Sequence, residues 1–331
     1  MKNLKYILLM MGIALFAACS SEEEEVKAPV IDLTDAPIVI STNVNSHSTR
    51  AGYSDDNSLH QSTFGLFLTT VGNNKFDLHA ARYQAYNLEF KYLYGSNEWV
   101  TTSGMQLLWK STTSKVKYYA YMPFDTLAIK ADSTANKAYP VRIRHNQASS
   151  TDSVLASDYL YAPLDSALGS DDNGQISIEF QHIMSKFELL VTKGTEVERY
   201  NVDSIFLDTC VALTSTYDLI DSTLNNATDM SAQDSTIKFF DNSDVKRAAG
   251  ELGTADNDFE AIVLPQTFVM RIKVHMSNGK VYVYQATAPF TFEPGYKYVL
   301  PLKISRDVVE PGIITATAWN TVIVSEELET E

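Results

Sequence analysis

The sequence predicts an all-β protein built as two β-sandwich domains in tandem. Three observations predict it. The chain has 331 residues, and domains usually run ~100–200 residues, so two fit behind a short leader and each is long enough to bury a core. Residues suited to a pleated, half-buried surface are abundant: Val, Ile and Thr are joined by 18 Tyr and 15 Phe. Short apolar runs recur with Gly, Pro, Asn and Asp between them, which is the punctuation of strands and turns. No solenoid period is visible.

The first 18 residues are an export signal rather than structure. Lys2 and Lys5 form a basic start, and Tyr6 to Phe16 is apolar but too short for a comfortable transmembrane helix. The segment ends Phe16-Ala17-Ala18-Cys19, small residues before a cysteine. That is the pattern of a lipobox, so Cys19 is expected to carry a diacylglycerol and to be the anchor in an outer membrane. Ser20-Ser21-Glu22-Glu23-Glu24-Glu25 follows, and residues 19–35 read as an acidic, solvated tether.

Strand patterns begin directly after it. Ile38, Ile40, Thr42 and Val44 alternate with Val39, Ser41 and Asn43, and Pro37 is tolerable at a strand start. Asn45 to His60 is polar and open. Phe64 to Leu68, Lys117 to Tyr121 and Tyr139 to Arg144 read as strands, the last placing Arg142 and Arg144 together on a solvated face. Pro163 to Gly174 reads as a loop ending in the turn signal Ser170-Asp171-Asp172-Asn173-Gly174. We place the domain boundary there, with an N-terminal domain over 36–172 and a C-terminal one over 173–331. The second half shows alternation at Ile176, Ile178 and Phe180. Strand-like runs continue from Ser185 to Val191, Ile262 to Leu264, Met270 to Val274, Lys280 to Tyr284 and Tyr296 to Leu300.

The formal charge is −15, and removing the leader's lysines makes it more negative. Such a surface repels phosphate backbones, which argues against nucleic acid as a partner. With Cys19 lipidated, Cys210 has no partner for an intrachain disulfide and reads as a small buried residue. His47, His60, His79, His145, His182 and His275 show no metal-ligand spacing. No Gly-x-Ser-x-Gly elbow and no glycine-rich phosphate loop occur. Trp99, Trp109 and the Tyr-rich strands could line a sugar platform, but at strand spacing they read as core or interface filler. The expectation is a protein with no cofactor, no metal and no catalytic residues.

Several fragments, in order, resemble the fimbrillin-like proteins of Bacteroidales, the subunits of type V pili. They are Ser48-Thr49-Arg50-Ala51, Phe64-Gly65-Leu66-Phe67, Trp109, Val116 to Pro123, and Ser157-Asp158-Tyr159-Leu160-Tyr161-Ala162. Ile178 to Lys186, Val263-Leu264-Pro265-Gln266, Phe292 to Tyr298 and Trp319 complete the set. Lys110 departs from the pattern where a Trp-Pro pair is expected. The resemblance implies two transthyretin-like β-sandwich domains and a surface-exposed lipoprotein that joins a fimbrium. The acidic run after Cys19 is similar to the export tag of Bacteroidetes surface lipoproteins.

The resemblance also implies how the subunits join. A surface Arg-specific protease cuts after an arginine, here the bond Arg50–Ala51. The first strand, with Ile38, Ile40 and Val44, leaves a groove. A strand from another copy or a related pilin fills it, here Ile313 to Val324, with Ile313, Trp319, Val322 and Val324 as candidate donor residues. The function so implied is a pilin that polymerises on the cell surface and serves adhesion to a host or bacterial receptor. The alternatives are a tip adhesin of the same pilus class or a stand-alone surface lipoprotein that binds glycan. Asp-Ser/Thr triplets resemble the O-glycosylation acceptor of Bacteroidetes, with Thr126, Ser133, Ser166 and Ser222 the expected sites where they lie in loops.

Overall fold

A computed structural model describes residues 32–44, 53–71, 82–126, 139–148, 151–208, 211–225, 236–242 and 258–319. Cys19, Arg50, Ala51, Ser133, Cys210, Val322 and Val324 lie outside these residues, as do the leader and the acidic run.

The described chain is essentially all-β. The first half supplies β1 (Val39–Val44), β2 (Thr63–Thr70), β3 (Ala85–Leu93), β4 (Glu98–Thr101), β5 (Lys115–Met122), β6 (Tyr139–Arg142) and β7 (Leu160–Leu168). A single helical turn, α1 (Asp56–Leu59), precedes β2, and α2 (Thr151–Leu155) precedes β7. The turn α1 starts where it does because Asp55 caps it: its carboxylate accepts from the Ser58 amide at 2.8 Å while the Ser58 hydroxyl accepts from the Asp55 amide.

The second half begins with β8 (Gln175–His182) and β9 (Ser185–Lys193). It continues through β10 (Val202–Asp208), β11 (Thr214–Asp218), β12 (Thr223–Leu224), β13 (Thr236–Asp241), β14 (Asp258–Val263) and β15 (Gln266–Phe268). The last strands are β16 (Arg271–Met276), β17 (Val281–Gln285), β18 (Phe290–Phe292), β19 (Tyr296–Ile304), β20 (Val309–Pro311) and β21 (Thr315–Ala318).

One sheet runs in the order β1-β8-β7-β5-β2-β3-β4. Its two ends approach each other, so it curls into a near-closed barrel. The interior is filled by every second residue of each strand: Ile40 and Val44, Phe64, Leu66 and Leu68, Val116, Tyr118 and Ala120, and Ile176, Ile178 and Phe180. Two glycines permit close packing, Gly65 on the outer face of β2 and Gly174 against the barrel core. A Cβ on Gly65 would lie 2.4 Å from the Tyr121 ring, and one on Gly174, which sits at φ +84, would lie 2.9 Å from the Trp109 indole nitrogen. That nitrogen donates to the Gly174 carbonyl at 2.7 Å, which fixes Trp109 in the core.

The outer faces of β2 and β5 are also buried. Phe67, Tyr119 and Tyr121 join Tyr139, Tyr159, Tyr161 and Tyr217 in a second cluster that runs through the second half to Trp319. This cluster lies among sheets β12-β11-β6, β13-β10-β16-β17 and β14-β9-β19-β20, with β21 on β19. The fold thus agrees with tandem sandwich-like units.

Two sequence readings need correcting. Pro163 to Leu168 is not loop but the outer half of β7, paired with β5. The ladder has a bulge there, between Tyr118↔Asp165 and Ala120↔Ala162, which accommodates a proline that cannot donate. The strand is also exposed over residues 163–166, so its sequence is as polar as a loop's. A boundary at 172/173 falls inside the barrel sheet, because β8 belongs to that sheet and β6 pairs forward with β11. The chain changes sheets after His182.

Candidate functional site

Strand β1 is the part of the fold most clearly built to be paired. Its period-2 pattern turns Ile38, Ile40 and Val44 inward, at 9%, 6% and 6% exposure, while Val39 is 50% exposed. It runs parallel to β8 in an unbroken register, Val39↔Gln175 through Val44↔Phe180. The other neighbour of β8 is β7, yet those two strands pair only at Leu160↔His182 and Tyr161↔Gln181. Along Gln175–Phe180, β1 is therefore the only ladder partner that β8 has among the described residues. Where β7 and β8 diverge, a cleft of about 400 Å³ opens. Tyr118 spans it, its hydroxyl 3.0 Å from the Ser177 carbonyl and 3.3 Å from an Asp165 carboxylate oxygen. Burial, and then the Asp165 charge, push its phenol above the ordinary range.

The second edge of β1 faces the barrel seam. The segment entering β1 is tied down first: the Asp35 amide donates to the Trp109 carbonyl, Trp109 to Ala36, and Ile38 to Leu107, each at 2.9 Å. Further along, the Trp99 indole donates to the Thr42 hydroxyl at 2.9 Å, joining β4 to β1 by side chains. Between the strands lies a groove of about 830 Å³ with Ile38, Ile40, Phe90, Trp99, Met105 and Leu107 on its walls. At its aromatic end the His60 ring stacks on Tyr92, centroids 3.4 Å apart, with Tyr94 64% exposed beside them.

At the other end of the chain, β21 pairs antiparallel with β19, Tyr296↔Ala318 through Val299↔Thr315. Ile313 is 85% exposed in the link before it, whereas Trp319 is fully buried. The Trp319 amide donates to the Gly295 carbonyl at 2.7 Å. Its ring stacks on His182 with centroids 3.6 Å apart and 10° between planes. The C-terminal arm is thus seated on its own chain as far as Trp319.

His182 itself is held by Asp158, Nδ1 to Oδ1 at 2.9 Å, with both side chains fully buried. The other oxygen of Asp158 accepts from the Tyr53 amide at 2.8 Å. Both residues stand in fragments that mark the resemblance, Ser157-Asp158-Tyr159 and Gln181-His182-Ile183, but nothing in the spacing of 158 and 182 announces that they meet. A second buried charge group sits on β9 and its neighbours: Lys186 pairs with Glu260 at 2.8 Å, and Lys297 with Glu188. Desolvation is the main influence on Lys186 and lowers its pKa, with Glu260 opposing.

The candidate glycan sites fall in different settings. Thr126 is exposed just after β5, and Ser222 is exposed in the turn before β12. Ser166 is exposed too, but on a strand rather than a loop. Among the described residues no group of three His, Cys, Asp or Glu side chains is placed to hold a metal ion, and no helix is long and apolar enough to cross a membrane.

Among the described residues β1 closes a barrel-like sheet and β21 caps a second one, which puts the fold in the class of all-β, sandwich-like proteins. The comparisons narrow the class. Residues 49–319 match the fimbrillin-like family, and the chain belongs to it. That family gives it a fimbrial, structural role. The fold is shared with solved structures at low sequence identity. A candidate cell adhesion protein of Bacteroides uniformis superposes with a TM-score of 0.56 at 16% identity, covering 86% of this chain and 100% of that one. A candidate cell adhesion protein of Bacteroides ovatus gives 0.57 at 16% identity, covering 87% and 99%. A fimbrial protein of Bacteroides vulgatus gives 0.50 at 13%, covering 85% and 99%. No curated protein sequence matches the chain.

Proposed function

We propose that this chain is a surface-exposed fimbrial subunit, lipidated at Cys19 and exported to the outer membrane, that joins its neighbours by protease-triggered strand exchange. Both halves are read as transthyretin-like sandwiches. Cleavage at Arg50–Ala51 by an Arg-specific surface protease frees everything before it, β1 included. The vacated groove beside β8 then takes the C-terminal stretch Ile313 to Val324 of another copy or a related pilin, delivering Trp319, Val322 and Val324. The assembled fimbrium serves adhesion.

The observation that supports this most is that, among the described residues, β8 has no ladder partner but β1 over Gln175–Phe180. Losing β1 leaves six residues of β8 without a ladder and uncovers the barrel interior, so the site demands an extended replacement. Burying Ile38, Ile40 and Val44 is worth roughly 5–9 kcal/mol before ordering costs, enough to hold the precursor shut. The polar stretch 45–52 that carries Arg50 follows β1 directly, as a protease-accessible linker should.

The test is processing followed by sizing. Purified precursor stays monomeric. Trypsin-type cleavage gives a new N-terminus at Ala51 and, over hours, a ladder of multimers, whereas Arg50→Ala gives neither. Cleaved protein that remains monomeric at high concentration with residues 36–44 still bound defeats the reading. A tip adhesin of the same class is the second reading, favoured by the exposed Tyr94 beside the half-buried His60 and Tyr92; it accepts a strand but donates none.

A further inference from the structure

Donation by the C-terminal arm requires β21 and Trp319 to leave the sheet on which they are seated, and the structure shows what holds them. We propose that the buried pair Asp158–His182 is a clasp: it links the N-terminal processing region and β8 to Trp319, so that the arm stays on its own subunit until β1 has gone. The purpose of this clasp rests on the strand-exchange reading; its existence does not.

The linkage is continuous and short. Tyr53 is the first described residue after the stretch that contains Arg50, and its amide donates to Asp158 Oδ2 at 2.8 Å. Asp158 Oδ1 meets His182 Nδ1 at 2.9 Å. The His182 ring lies flat on Trp319, the last described residue, at 3.6 Å. Two side chains therefore connect the segment that follows the Arg50 stretch to the last described residue. All three of Asp158, His182 and Trp319 are within 2% of full burial, so water cannot replace any contact that is lost. The scaffold keeps Asp158 in place: it follows α2, with the Asp158 amide donating to the Leu155 carbonyl at 3.1 Å and the Ser157 amide to Val154 at 2.9 Å.

His182 has a second input. It is the last residue of β8, the strand whose ladder to β1 runs from Gln175 to Phe180. Beyond it the Ile183 amide donates to the Tyr159 carbonyl at 3.1 Å, which pins the far side. Removing β1 loosens β8 up to Phe180, two residues from the ring that carries Trp319. Opening the acceptor groove and releasing the donor arm then become two readouts of one element, which is the requirement for coupling between distant sites. A buried ionisable pair of this kind is poor value as a stabiliser, since apolar residues of equal volume do as well. It is well suited to fixing one arrangement against another.

Hydrogen exchange on the full chain tests this. In the uncleaved wild type, the alternate amides of Thr315–Ala318 that donate to β19 are protected. Asp158→Asn and His182→Phe each accelerate exchange at 315–318 about tenfold, although Asp158 does not belong to that sheet, while the amides of β9 stay protected. Cleavage at Arg50 with loss of residues 36–44 produces the same acceleration in the wild type. If both variants fold, as shown by protected β9 amides, and residues 315–318 exchange as slowly as before, there is no clasp. If Asp158→Asn does not fold, His182→Phe alone decides, because a phenyl ring keeps a flat aromatic face for Trp319 and loses the link to Asp158. Fast exchange without polymerisation after cleavage sinks the strand-exchange function and leaves the clasp standing. Polymerisation with unchanged exchange does the reverse.

Discussion

Lys186 and Glu188 are buried on the face of β9 opposite to the apolar set Phe187, Leu189 and Val191. Lys186 is fully buried, and the cost of desolvating its ammonium group is offset by Glu260 at 2.8 Å. Glu260→Leu removes the carboxylate that lies 2.8 Å from this buried ammonium group, so it destabilises by about 3–5 kcal/mol. The double variant Lys186→Met/Glu260→Leu recovers that loss and ends neutral or up to ~4 kcal/mol above wild type. Urea unfolding of the single and double variants checks the order. The sequence hid this pair: Lys186 lies in Ser185-Lys186-Phe187-Glu188, an alternation that reads equally well with its polar face in water. Only the arrival of β14 and β19 on either side covers it. The same is true of Asp158 and His182, whose separation in sequence carries no motif.

At the scale of the element, β1 shows what alternation can and cannot reveal. The inward set Ile38, Ile40 and Val44 was legible because a strand's period is two. Ile40→Ala costs about 2–5 kcal/mol, and Val39→Ala on the opposite face stays within ~0.5 kcal/mol. Equilibrium denaturation of uncleaved protein separates them, and equal effects overturn the placement. The partner of β1 was not legible. A parallel neighbour is reached through a long connection, and Ile176, Ile178 and Phe180 alternate in the same way whichever sheet they join. The exposed half of β7 was misread for a related reason: Pro163, Asp165 and Ser166 have loop chemistry, and the bulge that makes a strand of them is set by β5.

For the molecule as a whole, the tyrosines hold the two halves together and give a pH limit. Burial is the largest influence on Tyr53, Tyr121, Tyr139 and Tyr217, and it raises the pKa of each. A phenol whose folded pKa lies above its unfolded value binds its proton more tightly in the native state. The stability it contributes is complete below the unfolded value of about 10 and is lost as pH rises from there toward the folded value. Circular dichroism and the part of the tyrosinate absorbance that belongs to these four buried phenols should therefore change together above pH about 10. Gradual ionisation of these phenols in an intact fold contradicts the buried cluster. The all-β class was legible from composition and punctuation, whereas the crossing of β6 and β8 between halves was not, because it depends on which sheet edges remain free.

The parallel register of β1 with β8 also has a mechanical meaning. Six consecutive residue pairs lie side by side along one axis. In the proposed strand exchange the strand beside β8 belongs to a neighbouring subunit, and a tug along that strand's axis loads such rungs in shear, all at the same moment. The same rungs pulled sideways from one end open one after another, as a zipper does. A junction of this geometry is therefore strong against traction and weak against peeling.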